Sequence, residues 1–278
     1  YILLLSLKID YRLSAVGAIA FAFSSYLFII IQAGHMTKAY ALAYMPMVVA
    51  SVLYTYRGKL LLGGVLTSLA VSLEIYANHL QITYYLFLIL VLIGFVQFIK
   101  EFKRDNLTDF FSRTTILLLA ALLACGTSLT RLATTMEYSK ESTRGKSELT
   151  NDMDNKTTGL DKDYATQWSY GISESLTLLI PNFHGGASQG ELTTNSETYK
   201  ALKRSPNAKQ LIKNLPLYWG NQPIVNGPTY AGSIVIFLFV IGLFLVRSSI
   251  KVWIILATIM SIMLAWGKNF MPLTEFFL

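Results

Sequence analysis

The sequence predicts an all-α polytopic membrane protein with about seven full transmembrane helices and one large extracytoplasmic loop domain. Hydrophobic residues make up 53% of its 278 residues and charged residues only 14%, a balance far from that of a soluble domain. Apolar stretches of about twenty residues, the length that a bilayer core requires, recur along the chain. One polar segment interrupts them, so the chain divides into a membrane block at 1–133, a loop domain at 134–229 and a second membrane block at 230–278.

Taken in order, the apolar runs predict where each helix lies. Residues 1–7 resemble the end of a truncated helix, and full spans are expected at 13–33, 39–56, 60–77, 82–99, 114–133, 230–246 and 252–267. Because the chain begins and ends within apolar runs, we expect it to be an internal piece of a larger protein. The single cysteine, Cys125, lies in an apolar run, so a disulfide framework and a CxxC metal site are excluded.

The distribution of charge predicts on which side of the membrane the loop domain lies. Residues 134–229 hold ten Lys/Arg and ten Asp/Glu, so the whole formal charge of +7 belongs to the membrane blocks. The short loops on one side hold ten basic residues: Lys8, Arg12, Arg57, Lys59, Lys100, Lys103, Arg104, Arg113, Arg247 and Lys251. The short loops on the other side hold only Lys38 and Lys268. Since basic loops stay in the cytoplasm, the loop domain is expected outside it.

Two short amphipathic helices are expected inside the loop domain. Residues 172–179 place apolar side chains at helical spacing ahead of Pro181, which predicts a helix on the membrane surface. Residues 205–215, stopped by Pro216, carry a helix cap and a second apolar stripe. The glycine-rich residues 182–190 between them predict mobile turns.

Polar residues that could form a substrate cleft collect in two turns at the outer membrane boundary. They are His35, Lys38, Glu74, Asn78, His79 and Gln81. An ionisable group one turn inside a span is costly unless it faces a cavity or a partner. Glu74 is therefore expected either to line a polar cleft or to pair with Lys38 or Arg131. Asn78 suits the left-handed end of a helix, a geometry that would turn His79 back towards the Glu74 carboxylate.

Aromatic residues form a second set of candidates, in the loop domain. Trp168 and Tyr170 lie in one part of it, and Tyr218 and Trp219 lie in another, directly before Asn221 and Gln222. Aromatic faces beside amides suit sugar rings, because the rings stack on C–H-rich faces while amides bind hydroxyls. The same residue types also form the aromatic belt of membrane interfaces, so both interpretations stay open.

Signatures of soluble enzymes are absent from the sequence. It contains no P-loop, GxSxG, HExxH or dinucleotide fingerprint. Two histidines and Glu74 could bind a metal, but their spacing fits no standard metal site, and we assign no metal ligand. The Lys/Arg residues are spread through short loops and form no contiguous patch, which argues against a nucleic-acid partner.

Four motifs give the chain a recognisable resemblance. They are EIYANHLQITYY at 74–85, TRGKSEL at 143–149, GLDKDYATQWSYG at 159–171 and YWGNQP at 218–223. Together they resemble the YfhO family of bacterial multi-pass membrane proteins, which is similar to the GT-C glycosyltransferases. The resemblance implies a larger parent protein that transfers a sugar from a polyprenyl-phosphate donor to a cell-envelope glycan acceptor, on the outer side of the bacterial cytoplasmic membrane.

The resemblance also implies roles for some of the candidates. Lys38 and Arg144 would bind the donor phosphate, and His79 or Glu74 would orient hydroxyl groups. In GT-C enzymes the catalytic acid usually lies in the first outer loop, which we expect upstream of this chain, so no catalytic residue is assigned. The sequence shows no cofactor motif, and the resemblance allows a divalent cation.

Two other functions fit the same residues. A transporter or lipid flippase would use Glu74 as a buried, switchable charge. A non-catalytic envelope scaffold would use the loop domain as a surface for partners. A transporter predicts ionisable or helix-breaking residues near mid-span on several helices, whereas here they collect at the outer boundary, with Pro46 as the main exception.

Overall fold

The computed structural model describes residues 1–142 and 162–277, and within these ranges the chain forms helices and no β-strand. This confirms the all-α fold class. The α-helices are α1 (Ile2–Ser6), α2 (Tyr11–Ala22), α3 (Ser25–Gln32), α4 (Met36–Tyr56), α5 (Leu60–Tyr76), α6 (Leu80–Phe102), α7 (Leu107–Thr127), α8 (Leu129–Lys140), α9 (Lys162–Ala165), α10 (Glu197–Leu202), α11 (Ala208–Leu211), α12 (Ser233–Leu245), α13 (Ser249–Ala265) and α14 (Met271–Phe277). Two 3-10 helices, Ser173–Leu178 and Gly267–Phe270, lie among them.

Several of these helices are suited to a bilayer. Within the described residues four are long and apolar enough to cross it: Tyr11–Gln32 (α2 with α3), α4, α6 and α7. The helix α13 and the helical segment after it would make a fifth, although a bend of 116° separates them. The apolar helices α5 and α12 are shorter, with 17 and 13 residues. The helices therefore support a multi-pass membrane protein.

Two of the expected spans are divided into separate helices in the structure. The span expected at 114–133 is replaced by α7, which begins at Leu107, and by α8, which runs on to Lys140. The early start of α7 is stabilised by an ion pair of 2.6 Å between Asp109 and Arg113, one turn apart. The first span is interrupted between Ala22 and Ser25.

The residues fall into two compact units. The first unit comprises Tyr1–Phe23, Ile30–Leu160 and Val246–Ile259; the second comprises Ser24–Ile29, Asp161–Leu245 and Met260–Leu278. In the first unit α4 is the central helix, since it contributes five of the ten buried residues of the main apolar core. These are Val48, Val49, Val52, Leu53 and Tyr56.

Close packing of α5 on α4 depends on a glycine. A Cβ atom on Gly63 would lie 2.9 Å from the Thr55 Cα and still closer to the Thr55 hydroxyl. Small residues of this kind let two membrane helices approach each other closely, where dispersion contacts hold them. The backbone contact at Gly63 thus explains how α4 and α5 pack without interlocking large side chains.

The second unit is held together by main-chain pairing and by ties to the end of α13. The N–H of Tyr170 donates to the Ala265 carbonyl at 2.8 Å, and the Asn269 amide donates to the Tyr170 carbonyl at 2.7 Å. The Trp266 indole N–H donates to the Ser175 hydroxyl at 2.8 Å. These bonds join the segment after α9 to the segment after α13.

The loop-domain expectations are met in part. The surface helix expected at 172–179 is present as the 3-10 helix Ser173–Leu178, whereas the helix expected at 205–215 is reduced to the single turn α11. The turns expected at 182–190 are present, and their expected mobility stays a prediction. That segment pairs with residues 215–225 through bonds such as Gly186 N–H to the Leu217 carbonyl at 2.8 Å.

Candidate functional site

A buried carboxylate, Glu174, organises the polar part of the second unit. Its side chain is 2% exposed. Its Oε2 accepts hydrogen bonds from the N–H of Gly171 at 2.5 Å and the N–H of Asn221 at 3.4 Å, and its Oε1 accepts one from the Tyr218 hydroxyl. A buried charge is tolerable where donors surround it. Glu174 therefore fixes residues 218–222 against the start of the 3-10 helix Ser173–Leu178.

Tyr218 extends this network by one step. Its hydroxyl oxygen donates to Glu174 and accepts a hydrogen bond from the N–H of Gln222 at 3.0 Å. Burial, followed by the hydrogen bond to Glu174, raises the pKa of the Tyr218 phenol well above its ordinary value. The tight turn needs Gly220, because a Cβ there would collide with Glu174 Oε1 and the Tyr218 ring.

His184 supports the same turn from the other side. Its carbonyl accepts the Trp219 N–H at 2.9 Å, and its Nε2 lies 3.0 Å from the Ser173 hydroxyl. The cavity among Glu174, His184 and Tyr218 measures about 20 Å³, room for one water molecule. We call these three residues the Glu174 cluster. It is too tight to hold a substrate and serves as a rigid support.

The residues that this support presents outward are aromatic and amide side chains. Trp219 is 77% exposed and Trp168 is 50% exposed. The Trp168 indole N–H donates to the Ile224 carbonyl at 3.3 Å, which holds that ring beside the turn 218–222. Asn221 is exposed in the same turn. Such a surface can stack a sugar ring and bind its hydroxyls, and it equally suits a membrane interface.

Tyr170, another aromatic candidate, has a structural role. It is half-buried, its main chain is tied to Ala265 and Asn269, and its hydroxyl donates to the Thr229 hydroxyl at 3.0 Å. Tyr170 therefore closes the base of the polar segment and does not extend the exposed aromatic surface.

The outer-boundary candidates of the first unit meet at the turn between α5 and α6. Asn78 has a φ of +58°, which confirms the left-handed helix end predicted for it. His79 is the N-cap of α6, where its Nδ1 accepts the Ile82 N–H at 3.4 Å. The Glu74 carboxylate instead receives the Thr83 hydroxyl, at 3.4 Å from Oε1. Thr83 had not been considered from sequence.

Glu74 is fully buried, at 0% exposure, so it is not an interfacial side chain reaching for water. Within the described part of the chain its Oε2 has no hydrogen-bond partner, and no ion pair within 4 Å joins it to Lys38 or Arg131. Arg131 binds the end of α5 instead: it donates to the Tyr76 carbonyl at 2.5 Å and lies 4.5 Å from the Tyr76 ring centre. The expected pairing is therefore wrong.

The remaining candidates have simpler surroundings. His35 is exposed at the N-cap of α4, and Lys38 is half-buried one turn further on. Gln81 is exposed and donates to the Tyr85 hydroxyl at 3.1 Å. Arg144 lies outside the described residues. The first unit thus holds His35, Lys38, Glu74, Asn78, His79 and Gln81, and the second holds Trp168, Tyr170 and Trp219.

A metal site was one alternative for the outer-boundary residues. Across 1–142 and 162–277, no three His, Cys, Asp or Glu side chains come together in a way that could hold a metal ion. The divalent cation that the family resemblance allows stays a prediction.

The Glu174 cluster was missed by the sequence analysis, apart from Tyr218. The available signal was weak: Glu174 is the one charged residue among residues 172–179. Its main partner, Tyr218, lies 44 residues away in the sequence. No spacing rule connects two residues across such a distance in an irregular loop.

Comparison of the chain with protein families, with curated proteins and with solved structures finds no match. We therefore infer the function from the residues of this chain.

Proposed function

We propose that this chain is part of a membrane glycosyltransferase of GT-C type. It would transfer a sugar from a polyprenyl-phosphate donor to a cell-envelope glycan acceptor on the outer side of the bacterial cytoplasmic membrane. The observation that supports this most is a set of exposed side chains on or beside the turn 218–222, Trp168, Trp219 and Asn221, where the buried Glu174 cluster holds the main chain. The motif resemblance to the YfhO family points in the same direction.

In this proposal the two indole rings stack on the C–H face of a sugar, and the amide of Asn221 binds its hydroxyls. Rigid support favours such binding, because a side chain that is already ordered loses little conformational entropy when the ligand arrives. Glu174 acts here as a positioning residue. Three donors already occupy its carboxylate, so it has little capacity left for a substrate.

The proposal includes about seven spans and an extracytoplasmic loop domain. The ten-to-two asymmetry of basic residues in the short loops supports that orientation. Lys38, half-buried at the opposite end of α4 from Arg57, is proposed as a partner of the donor phosphate.

The test is sugar transfer in membranes that carry the full gene product. A labelled polyprenyl-phosphate sugar is supplied, and label in envelope material is measured. We expect Trp168→Ala combined with Trp219→Ala to lower kcat/KM roughly tenfold or more, since an aromatic contact contributes about 1 kcal/mol. The control is Tyr138→Ala in α8, which removes another aromatic side chain, 75% exposed. Undiminished transfer in the tryptophan variant would refute the stacking role.

A second function, transport, is favoured by one observation. Glu74 is a carboxylate buried near the end of an apolar helix, and among the described residues its Oε2 has no hydrogen-bond partner. Transporters use buried carboxylates as switchable charges. Replacement by glutamine separates the two functions. In the glycosyltransferase Glu74→Gln should leave transfer unchanged, because the Thr83 hydroxyl can donate equally well to an amide oxygen. In a transporter it should abolish substrate flux.

A further inference from the structure

A second polar site lies in the first unit, at the ends of the helices that carry the basic loops. There a cavity of about 440 Å³ lies among the C-terminal ends of α4 and α6, the start of α7 and the start of α13. We call it the basic cavity. Its charged lining consists of Arg57, Lys100, Arg104, Arg113 and Glu101. Four cations face one carboxylate, so the lining is strongly positive.

Two of these cations, Arg113 and Arg104, contact other residues of the first unit. Arg113 donates to the Tyr56 carbonyl at 3.0 Å and to Asp109 at 2.6 Å, and it lies 3.6 Å from Glu101 Oε1. Arg104 lies 4.0 Å from the same oxygen. Glu101 is 4% exposed, and its buried carboxylate contacts both arginines. The wall of the cavity is therefore prearranged.

The other two cations are available to a ligand. Within the described residues neither Arg57 nor Lys100 takes part in an ion pair within 4 Å. They lie on different helices, at the end of α4 and near the end of α6, and both line the cavity. Two like charges therefore line one cavity. An anion placed between them would relieve their repulsion.

Ser249, the first residue of α13, adds a polar side chain to the lining. Two of the first N–H groups of α13 are already bonded to Ser248, since Ile250 N–H donates to its hydroxyl at 3.3 Å and Lys251 N–H to its carbonyl at 3.0 Å. The helix dipole nevertheless favours negative charge at this end. Leu53 and Ile250 supply an apolar part of the lining. A small anionic head joined to an apolar body matches both kinds of surface.

We propose that the basic cavity binds the phosphate of an anionic phosphoester, and that the ligand in the membrane is the headgroup of an anionic phospholipid. Basic pockets between membrane helices on the cytoplasmic side recognise such headgroups. A free phosphate ion offers the same chemistry without the acyl chains. This inference is independent of the proposed sugar transfer, since the two sites share no residue.

The test is lipid binding to the purified protein in detergent, followed by native mass spectrometry. Phosphatidylglycerol and phosphatidylcholine with identical acyl chains are titrated separately. We expect the wild type to retain one phosphatidylglycerol in preference to phosphatidylcholine. Arg57→Gln combined with Lys100→Gln should weaken that binding at least roughly tenfold, because each cation beside an anionic headgroup contributes about fivefold.

A matched control is available beside each mutated position. Lys59→Gln combined with Lys103→Gln removes two exposed charges that lie two and three residues away from Arg57 and Lys100 in the sequence. Neither Lys59 nor Lys103 lines the cavity. Its affinity for phosphatidylglycerol should stay within about twofold of the wild type. If the first double variant does not fold, the single variants Arg57→Gln and Lys100→Gln should each weaken binding several-fold.

Inorganic phosphate distinguishes the two sources of the anion. Phosphatidylglycerol retained in the presence of millimolar phosphate identifies the lipid headgroup as the ligand. If millimolar phosphate displaces phosphatidylglycerol from the wild type, and Arg57→Gln/Lys100→Gln removes this effect of phosphate, the ligand is a soluble phosphate instead. Equal phosphatidylglycerol affinity in wild type and that variant, or an equal loss in the Lys59/Lys103 control, would show diffuse attraction and overturn the proposal.

Discussion

At the scale of single residues, Glu174 decides the shape of the polar segment. Its carboxylate oxygens receive two main-chain N–H groups and one phenol, and it is almost completely buried. Charge-assisted hydrogen bonds of this kind are about twice as strong as neutral ones. These bonds hold the turn that carries Trp219.

Replacing this carboxylate tests that role. Glu174→Gln places an NH₂ group where the carboxylate receives donors, so at least one donor is left without an acceptor. We expect a loss of about 1–3 kcal/mol in unfolding free energy. Intrinsic fluorescence during heating measures it, because three of the four tryptophans, Trp168, Trp219 and Trp266, belong to the second unit. Glu191→Gln, at an exposed position of the same unit, should change nothing measurable.

The raised pKa of Tyr218 predicts a pH dependence. The folded protein favours the protonated phenol, so its contribution to stability is fully present below the ordinary pKa of about 10. It is lost as the pH rises from there towards the raised folded-state pKa. The difference in unfolding temperature between wild type and Tyr218→Phe should therefore stay constant from pH 7 to about 9.5 and shrink at pH 11. A constant difference up to pH 11 would contradict the raised pKa.

Single residues also show which features could be predicted from the sequence. The left-handed conformation of Asn78 was predictable, because a helix end before an asparagine is a local feature. The partner of Glu74 was not: Thr83 lies on the next helix, and only the geometry of the turn brings its hydroxyl to the carboxylate. The local backbone conformation could be predicted from the sequence, whereas contacts across a turn or loop depend on the path of the chain.

At the scale of elements, Arg113 joins three helices of the first unit. It lies on α7, donates to the last residue of α4 and pairs with Glu101 near the end of α6. From sequence, no helix was expected between the spans at 82–99 and 114–133, because charged residues interrupt the apolar run there. The structure continues the helices through those charges, since their ion pairs lie within one turn or between neighbouring helices. Periodic apolar patterns cannot reveal such polar helix ends.

Breaking this junction should be costly. Arg113→Gln leaves the buried Glu101 charge without its nearest cation, so we expect a loss of about 3–5 kcal/mol in unfolding free energy. Adding Glu101→Gln should recover most of that loss, because no uncompensated charge then remains. Arg104→Gln, whose side chain is 64% exposed, should cost less than about 1 kcal/mol. Thermal unfolding in detergent compares the variants, and failure of the second substitution to rescue stability would contradict the junction.

At the scale of the whole molecule, charge and apolar length predicted the class of protein. Four described helices are long enough to span a bilayer, and a bent pair would add a fifth. The expected full spans at 60–77 and 230–246 correspond to the shorter helices α5 and α12. Polar turns and breaks set where each of these helices ends. Orientation rests on the ten-to-two distribution of basic residues.

The proposed orientation has the widest consequences, because both proposed functions depend on it. Cysteine labelling in intact spheroplasts tests it, in a background where Cys125 is replaced by serine. The structure favours Gln189→Cys over a cysteine at Ser188, since the Ser188 hydroxyl accepts the Val225 N–H at 2.8 Å and Gln189 is exposed. The cytoplasmic probe is Lys103→Cys, also at an exposed position.

A membrane-impermeant maleimide should label Gln189→Cys in intact spheroplasts and Lys103→Cys only after the membrane is opened. The reverse pattern would contradict the orientation, and with it both the sugar transfer proposed outside and the phospholipid site proposed inside.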